Sequence, residues 1–413
     1  MLDLSGNQLT SLPTDLPRLH RLRVLFCSDN PFTELPPVLG QCGELELVGF
    51  KACRIERVTG RALPARLRWL ILTDNCVESL PAEIGRCSRL QKLMLAGNRL
   101  RALPPELATC TRLELLRISA NRLQELPDWL ADLPRLAWLA YAGNPCCERH
   151  EAAAQVQTPA SDLHWNQLEL QQLLGQGASG WIHRALRRDG QEPAAIALKI
   201  FKGDVTSDGL PDSEVAAWLR AGQHPGLIPV LGRVQGHPDG AQALAMPLVN
   251  AAFGSLAGPP SLDSCTRDCY APETRFTPDE ALGVARSVAA AVAHLHRRGV
   301  LHGDLYGHNI LHDGRGRALL GDFGAASLFD PGDSWNAPRL QRIEVRAFGC
   351  LLEELIERAQ TPPDAAACLD PLRRLRDACL SGEPARRPRF EQIEDALARL
   401  AGAGKPSLAI ITP

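Results

Sequence analysis

The chain has 413 residues, 45% hydrophobic and 22% charged, with a formal net charge of −2. That length suits two domains, and the balance excludes a mostly disordered or collagen-like chain. Forty-five basic residues against 47 acidic ones leave no overall field to hold nucleic acid or an anionic membrane.

No apolar run approaches the roughly 18 residues of a membrane span. The start, Met1 to Gly6, lacks the basic residues and apolar core of a signal peptide. A cytoplasmic protein without a membrane span is expected, its oligomeric state left open. Thirteen cysteines, an odd number in a chain too large to need staples, read as small buried hydrophobes. Only five of the 45 cations are lysine, at 51, 92, 199, 202 and 405.

The first third repeats. Asn7, Asn30, Asn75, Asn98, Asn121 and Asn144 stand 23 or 45 residues apart, with Cys53 holding the missing position. The clearest copy runs Leu90-x-x-Leu93-x-Leu95-x-x-Asn98-x-Leu100-x-x-Leu103-Pro104. Alternate leucines on a short strand bury together. The Asn side chain can bond the backbone where the chain leaves the strand, a task Cys53 performs weakly. Units that cannot bury a core alone must stack into a curved solenoid. Over residues 1–147 this pattern resembles the leucine-rich repeat family. Leu2 and Leu4 already occupy strand positions, so either residues precede them or something covers this edge.

The register puts Phe26, Trp69, Ile71, Met94, Arg117 and Trp138 on the concave face, with Lys51 and Lys92 beside them. Aromatic clusters edged by cations mark binding surfaces, so a protein partner or substrate is expected there. The alternative is that the second domain folds back over part of this face.

The repeat ends after Asn144-Pro145. Residues 148–162 carry no helix or strand period and read as a linker. Residues 163–401 form the second domain, and 402–413 a loose tail.

In the second domain, Gly175-Gln176-Gly177-Ala178-Ser179-Gly180 follows an apolar stretch, with Ile182 placed to begin the next strand. Glycines in such a loop let backbone amides approach phosphates. Ala195 to Ile200 is a buried strand carrying Lys199. A lysine here, in a chain that prefers arginine, points to chemistry needing a compact ammonium. His302-Gly303-Asp304-Leu305-Tyr306-Gly307-His308-Asn309 precedes a short strand, and Asp322-Phe323-Gly324 follows. Two carboxylates and an amide converging near phosphates are what a hard, oxygen-seeking cation requires.

Together these motifs resemble the protein-kinase superfamily over about residues 166–400. The resemblance implies an ATP site formed by Gly175, Gln176, Gly177, Ala178, Ser179, Gly180 and Ile182. It implies Lys199 on the α- and β-phosphates and Glu214 as its ion-pair partner. Asp304 becomes the catalytic base, and Asn309 and Asp322 the Mg²⁺ ligands. The fold class is then an α/β leucine-rich repeat solenoid followed by an α+β two-lobed protein-kinase-like domain. The activity implied is ATP-dependent serine/threonine protein phosphorylation, with recruitment by the repeats.

Several positions depart from the family pattern. Gly303 replaces the Arg that would bind an activation-loop phosphate, so activation by loop phosphorylation is not expected. Tyr306 replaces a Lys that would neutralise the γ-phosphate, although its hydroxyl could donate one hydrogen bond. Ala337-Pro338-Arg339 carries Arg where Glu is usual, and Glu344 stands where the large helix usually begins with Asp. Pro247, near the hinge, offers no N–H to adenine. Asn309, five residues after Asp304, also resembles small-molecule phosphotransferases of the aminoglycoside-kinase type, which is the second reading. A pseudokinase scaffold is the third.

Overall fold

A computed structural model of the chain describes residues 1–157, 163–177, 179–188, 193–203, 205–206, 208–360 and 368–403. The first domain is one parallel sheet of seven short strands in chain order. They are β1 (Leu2–Asp3), β2 (Val24–Phe26), β3 (Leu47–Gly49), β4 (Trp69–Ile71), β5 (Lys92–Met94), β6 (Leu115–Arg117) and β7 (Trp138–Ala140). Leu70, Leu93, Leu116 and Leu139 pair in register, and all four side chains are fully buried. The residues on either side of each central leucine project to the concave face.

The asparagine ladder holds the turns together. Asn98 Nδ2 donates to the carbonyls of Leu72 and Leu95 at 2.8 and 2.9 Å, and its Oδ1 accepts the Val77 N–H at 3.0 Å. Asn75, Asn121 and Asn144 repeat this bridge. At the irregular repeat, the Cys53 thiol makes only long contacts, to the Cys27 and Lys51 carbonyls at 3.4 and 3.6 Å. Nine of the thirteen cysteines are buried, and none forms a disulfide.

The expected linker is in part a helix, α1 (Glu148–Gln157), packed beside α2 (Pro211–Ala221). Its Ala, Glu and Gln favour a helix, but it has no apolar stripe, so no helical period shows in the sequence. Glu151 Oε1 accepts the Gly143 N–H at 2.8 Å and ties α1 to the last repeat.

The second domain opens with a six-stranded mixed sheet ordered β8-β12-β13-β11-β10-β9. The strands are β8 (Leu163–His164), β9 (Leu168–Gln176), β10 (Gly180–Arg187), β11 (Ala194–Phe201), β12 (Gly232–Gln235) and β13 (Ala243–Pro247). A helical lobe follows, built on α3 (Pro278–Arg297), α4 (Asn336–Arg358), α5 (Asp370–Cys379) and α6 (Phe390–Ala403). Helix α3 starts on a capping box in which Thr277 Oγ1 accepts the Glu280 N–H and Glu280 accepts the Thr277 N–H. Small antiparallel pairs carry the loops between the helices: β14 (Gly254–Ser255) with β16 (Ile310–His312) and β17 (Ala318–Leu320), and β15 (Val300–Leu301) with β18 (Ser327–Leu328). Among the described residues, no helix is long and apolar enough to cross a membrane.

The two domains share their cores. Leu115, Ala137 and Trp138 pack into the core of the helical lobe, and Leu301, Phe329, Ala337 and Ile343 pack into the core of the repeats. This corrects the expected partner surface. Arg117 and Trp138 are only 1% and 2% exposed, covered by the chain's own second domain. Met94 packs partly against that domain as well. Phe26, Trp69 and Ile71, further from the junction, stay half-buried.

Replacing Asn98 by Ala leaves the Val77 N–H without its partner and removes one of two asparagine donors from each of the Leu72 and Leu95 carbonyls, which keep Asn75 and Asn121. An unsatisfied buried group costs ~1–3 kcal/mol. Asn98→Ala should therefore lower the urea midpoint by the equivalent of about 1–3 kcal/mol, whereas Cys53→Ala should change it far less.

Candidate functional site

The glycine-rich loop joins β9 to β10. The Gly177 N–H donates to the Gly180 carbonyl at 3.0 Å, closing a tight hairpin. At Gly180 an added Cβ would lie 2.4 Å from the Ile200 carbonyl oxygen, so only glycine lets the two strands meet there. Gly175 and Gly177 face open space, and Ser179 is buried. Ala178 lies outside the described residues. Ile182 is the cross-strand neighbour of Lys199, which puts both beneath the loop.

Lys199 lies on β11, buried on both sides. Its ammonium donates to Glu214 Oε1 at 2.6 Å and to Asp322 Oδ1 at 3.1 Å. Glu214 reaches it from the first turn of α2, whose start is set by Pro211. The spacing from strand to helix therefore brings together the lysine and the glutamate expected to pair.

The charges are unequal, two carboxylates to one ammonium. Burial pushes the Glu214 carboxyl up to about 7, opposed by Lys199 and assisted by Asp322. Burial also works against ionised Asp322, but the Lys199 charge and hydrogen bond outweigh it and hold Asp322 below its ordinary range. Lys199 is raised, because the two carboxylates outweigh its own desolvation. The cluster thus carries excess negative charge at the mouth of a cavity of about 730 Å³ lined by Ile182, Ala197, Lys199, Met246, Leu311 and Asp322.

The catalytic-type loop lies on the helical lobe. His302 Nε2 donates to the Gly321 carbonyl at 2.9 Å, and Nδ1 accepts the Asp304 N–H at 3.3 Å. Asn309 Nδ2 donates to Asp304 Oδ2 at 2.8 Å and to the Asp304 carbonyl at 2.9 Å. Asp322 has a left-handed backbone, φ 51°, and Phe323 packs on Trp218 of α2 with ring centroids 4.0 Å apart. A non-glycine residue at positive φ is strained, and such strain concentrates at functional sites.

Below the loop, Glu344 of α4 accepts the Gly303 N–H at 2.8 Å and the His302 N–H at 3.3 Å, and bonds His296 Nε2 at 2.8 Å. The Glu at this position thus anchors the loop backbone.

Three departures from the family pattern, Gly303, Tyr306 and Arg339, face the repeats. Gly303 has φ 73°, and a Cβ there would lie 2.5 Å from both the Leu139 and Ala325 carbonyl oxygens. No arginine fits where the β7 backbone passes this close. Tyr306 is buried, its ring stacked on Trp138 at 4.2 Å and 6° between planes. Its hydroxyl has no hydrogen-bond partner, so the expected donation into the cleft is not made. Trp138 Nε1 donates to the Leu305 carbonyl at 3.1 Å. Arg117, from β6, donates to Asp208 Oδ1 at 2.7 Å, to the Gly303 carbonyl at 3.0 Å and to Asp304 Oδ1.

Further out, Arg339 bonds the Asp128 carbonyl and Asp132, and Arg387 bonds the Pro134 carbonyl. Residues from Asp322 lead directly into α4, whose first turns contain Ala337-Pro338-Arg339. Ser327 is fully buried, and its hydroxyl accepts the Tyr141 N–H. The sequence reading missed Asp208 entirely and placed Arg117 on an open face. A cation at a concave strand position, one strand short of the last repeat strand, was the available signal.

Glu344 gives a pH prediction. Burial disfavours its charge, but the His296 hydrogen bond and the loop amides prevail and hold its pKa below the ordinary value of 4.5. A carboxylate depressed in the folded state contributes stability above its unfolded pKa, lost as pH falls through the folded one. Glu344→Gln should reduce stability at pH 7 and flatten the fall in stability below pH ~4.5. Chemical denaturation across pH 3–7 checks it.

Residues 168–342 match the family described as Protein kinase domain, and residues 88–145 match Leucine rich repeat. The chain is similar to the DNA damage-responsive serine/threonine-protein kinase RqkA of Deinococcus radiodurans, with 32% identity over 166 residues, 39% of this chain and 22% of that protein. It is similar to CBL-interacting protein kinase 22 of Oryza sativa, with 32% identity over 177 residues, 39% of this chain and 37% of that protein. It also resembles L-type lectin-domain containing receptor kinase V.7 of Arabidopsis thaliana, with 30% identity over 206 residues, 48% and 28% of the two chains. The chain thus spans well under half the length of these relatives. With the repeat sheet and the cleft geometry, these matches place the chain as a leucine-rich repeat region followed by a protein kinase domain.

Proposed function

We propose that the chain is an ATP-dependent serine/threonine protein kinase whose repeats dock on its own catalytic loop. The observation that carries this is the set of pairs Lys199–Glu214, Lys199–Asp322 and Asp304–Asn309, with Asn309 bonded through its carbonyl to Gly321 beside Asp322. The family match and the serine/threonine-kinase relatives support it.

The residues suit ATP and Mg²⁺. Asp322 and Asn309 offer hard oxygen donors, and the excess negative charge beside Lys199 favours a cation. Among the described residues, no cluster of three or more His, Cys, Asp or Glu could hold a metal alone. That fits Mg²⁺, which takes few protein ligands and completes its shell with phosphates and water. When bound, Mg²⁺ neutralises the charge developing on the phosphoryl oxygens. Asn309 and Asp322 would hold it, and Lys199, fixed by Glu214, would position the α- and β-phosphates. Gly175 to Gly180 would cover the phosphates, and Ile182 would pack beside the nucleotide. Adenine would bond the segment after β13 at positions other than Pro247. Asp304 would orient the acceptor hydroxyl and accept its proton.

One observation favours the second reading, transfer to a small molecule. The repeats lie against Gly303 to Tyr306, which narrows the approach for a folded acceptor. For a protein acceptor, the half-buried Phe26, Trp69 and Ile71 remain as a recruitment face.

The test is phosphate transfer from radiolabelled ATP·Mg²⁺ to casein and, in a separate tube, to kanamycin. Asp304→Asn should lower transfer about 10²–10⁴-fold, and Lys199→Met should weaken it comparably. Label on casein supports the first reading. Label on kanamycin alone replaces it with the second, and no label with either acceptor defeats both.

A further inference from the structure

We propose that Arg117 is a positioning residue of the phosphoryl-transfer site, so that the repeat sheet supplies the cation that orients Asp304. This rests on the kinase reading above. The catalytic loop provides no cation of its own beside the base, because position 306 is a tyrosine turned under Trp138. Lys199 is engaged by Glu214 and Asp322. The cation found on Asp304 comes from β6.

The geometry is that of a brace. Arg117 presents a rigid planar fork. One edge is held by Asp208, at 2.7 Å from Nε. The other grips the loop twice, at the Gly303 carbonyl and at Asp304 Oδ1. Asn309 holds the opposite carboxylate oxygen, Oδ2. Asp304 is therefore clamped by one donor from each domain, which fixes the plane of its carboxylate. A lysine in place of Arg117 could not grip Asp208, Gly303 and Asp304 together in this planar arrangement.

Two observations separate a brace from an inhibitory plug. The Asp304 side chain keeps 18% of its surface exposed while Arg117 keeps 2%, so the contact does not seal the carboxylate from solvent. The Lys199–Glu214 pair, which active kinases require, is closed at 2.6 Å while the repeats are docked. The docked sheet thus coexists with an assembled nucleotide end. Glycine at 303 belongs to the same device, because only there can the β7 backbone come near enough for β6 to deliver its arginine.

The experiment measures steady-state kinetics of the full chain with ATP·Mg²⁺ and whichever of casein or kanamycin is labelled, comparing wild type, Arg117→Ala, Arg117→Lys and Lys199→Met. Arg117→Ala should lower kcat about 10²-fold. Its KM for ATP should stay within about twofold, because Arg117 does not reach the nucleotide residues. Added guanidinium at ~50 mM, far below unfolding concentrations, should restore part of kcat in Arg117→Ala and none in Lys199→Met. Arg117→Lys, which keeps the charge and most of the volume, should fall between wild type and Arg117→Ala.

Equal or higher kcat in Arg117→Ala overturns the proposal and makes the contact a restraint. A loss in both Arg117 variants without guanidinium rescue, accompanied by a lower melting temperature, also overturns it and leaves a structural role. Wild type that transfers no more phosphate than Lys199→Met defeats the kinase reading itself, a result distinct from either.

Discussion

The structure depends on one close approach, the carbonyl of Leu139 in β7 against the α-carbon of Gly303. The space where a Cβ would lie is only 2.5 Å from that oxygen. Glycine at this point, with its left-handed backbone, lets a strand of the repeats lie directly against the catalytic-type loop. Once it does, the neighbouring positions are dictated. Trp138 finds a ring to stack on at Tyr306 and a carbonyl at Leu305. Arg117, one strand away in register, meets Asp304. A side chain at 303 would push β7 outward and part all three contacts.

This accounts for the pattern of agreement and departure along the second domain. Of the residues that keep the kinase resemblance, Lys199, Glu214 and Asp322 line the cleft, and Asp304 and Asn309 lie on the loop bonded to Gly321 beside Asp322. Three that depart from it turn toward the repeats: Gly303 against Leu139, Tyr306 against Trp138, and Arg339 against Asp128 and Asp132. A glutamate at 339 would face two repulsive carboxylates, whereas arginine pairs with both. These three departures are thus answers to a neighbouring domain, and they leave the chemical set of the cleft intact. The pseudokinase reading drew on Tyr306 and Arg339, and both residues are accounted for by their contacts with the repeats.

Much of this was legible in the sequence, and the reason is period and spacing. A 23-residue repeat with asparagine at a fixed offset specifies both the sheet and its ladder, because each Asn must bridge two turns to satisfy its amide. The Lys199, Glu214, Asp304, Asn309 and Asp322 set was legible because its spacings correspond to a strand, a helix and two loops. Helix α1 was hidden because Glu148 to Gln157 has helical propensity without an apolar face. Docking was hidden for a deeper reason. Aromatic and cationic residues on a concave face look the same whether the surface they meet is another protein or the rest of the chain. Trp138 and Arg117 were identified as contact residues from sequence, and only the structure shows that the contact is internal.

Joining the two domains through Asp304 has an energetic consequence. Arg117 is fully buried between Asp304 and Asp208, where removing one partner of such a pair typically costs ~3–5 kcal/mol. Total stabilities of domains are commonly only ~5–15 kcal/mol. The docked arrangement is therefore strongly coupled to the charges of these three groups. Polar anchoring alone would leave the arrangement sensitive to competing water. The apolar contacts of Trp138, Leu115 and Ala137 with the helical lobe exclude that water and keep the local dielectric low. Hydrophobic burial thus makes the ion pair strong, and the ion pair sets the angular precision that burial cannot. The Asp304 carboxylate is held by both, and each domain contributes part of each.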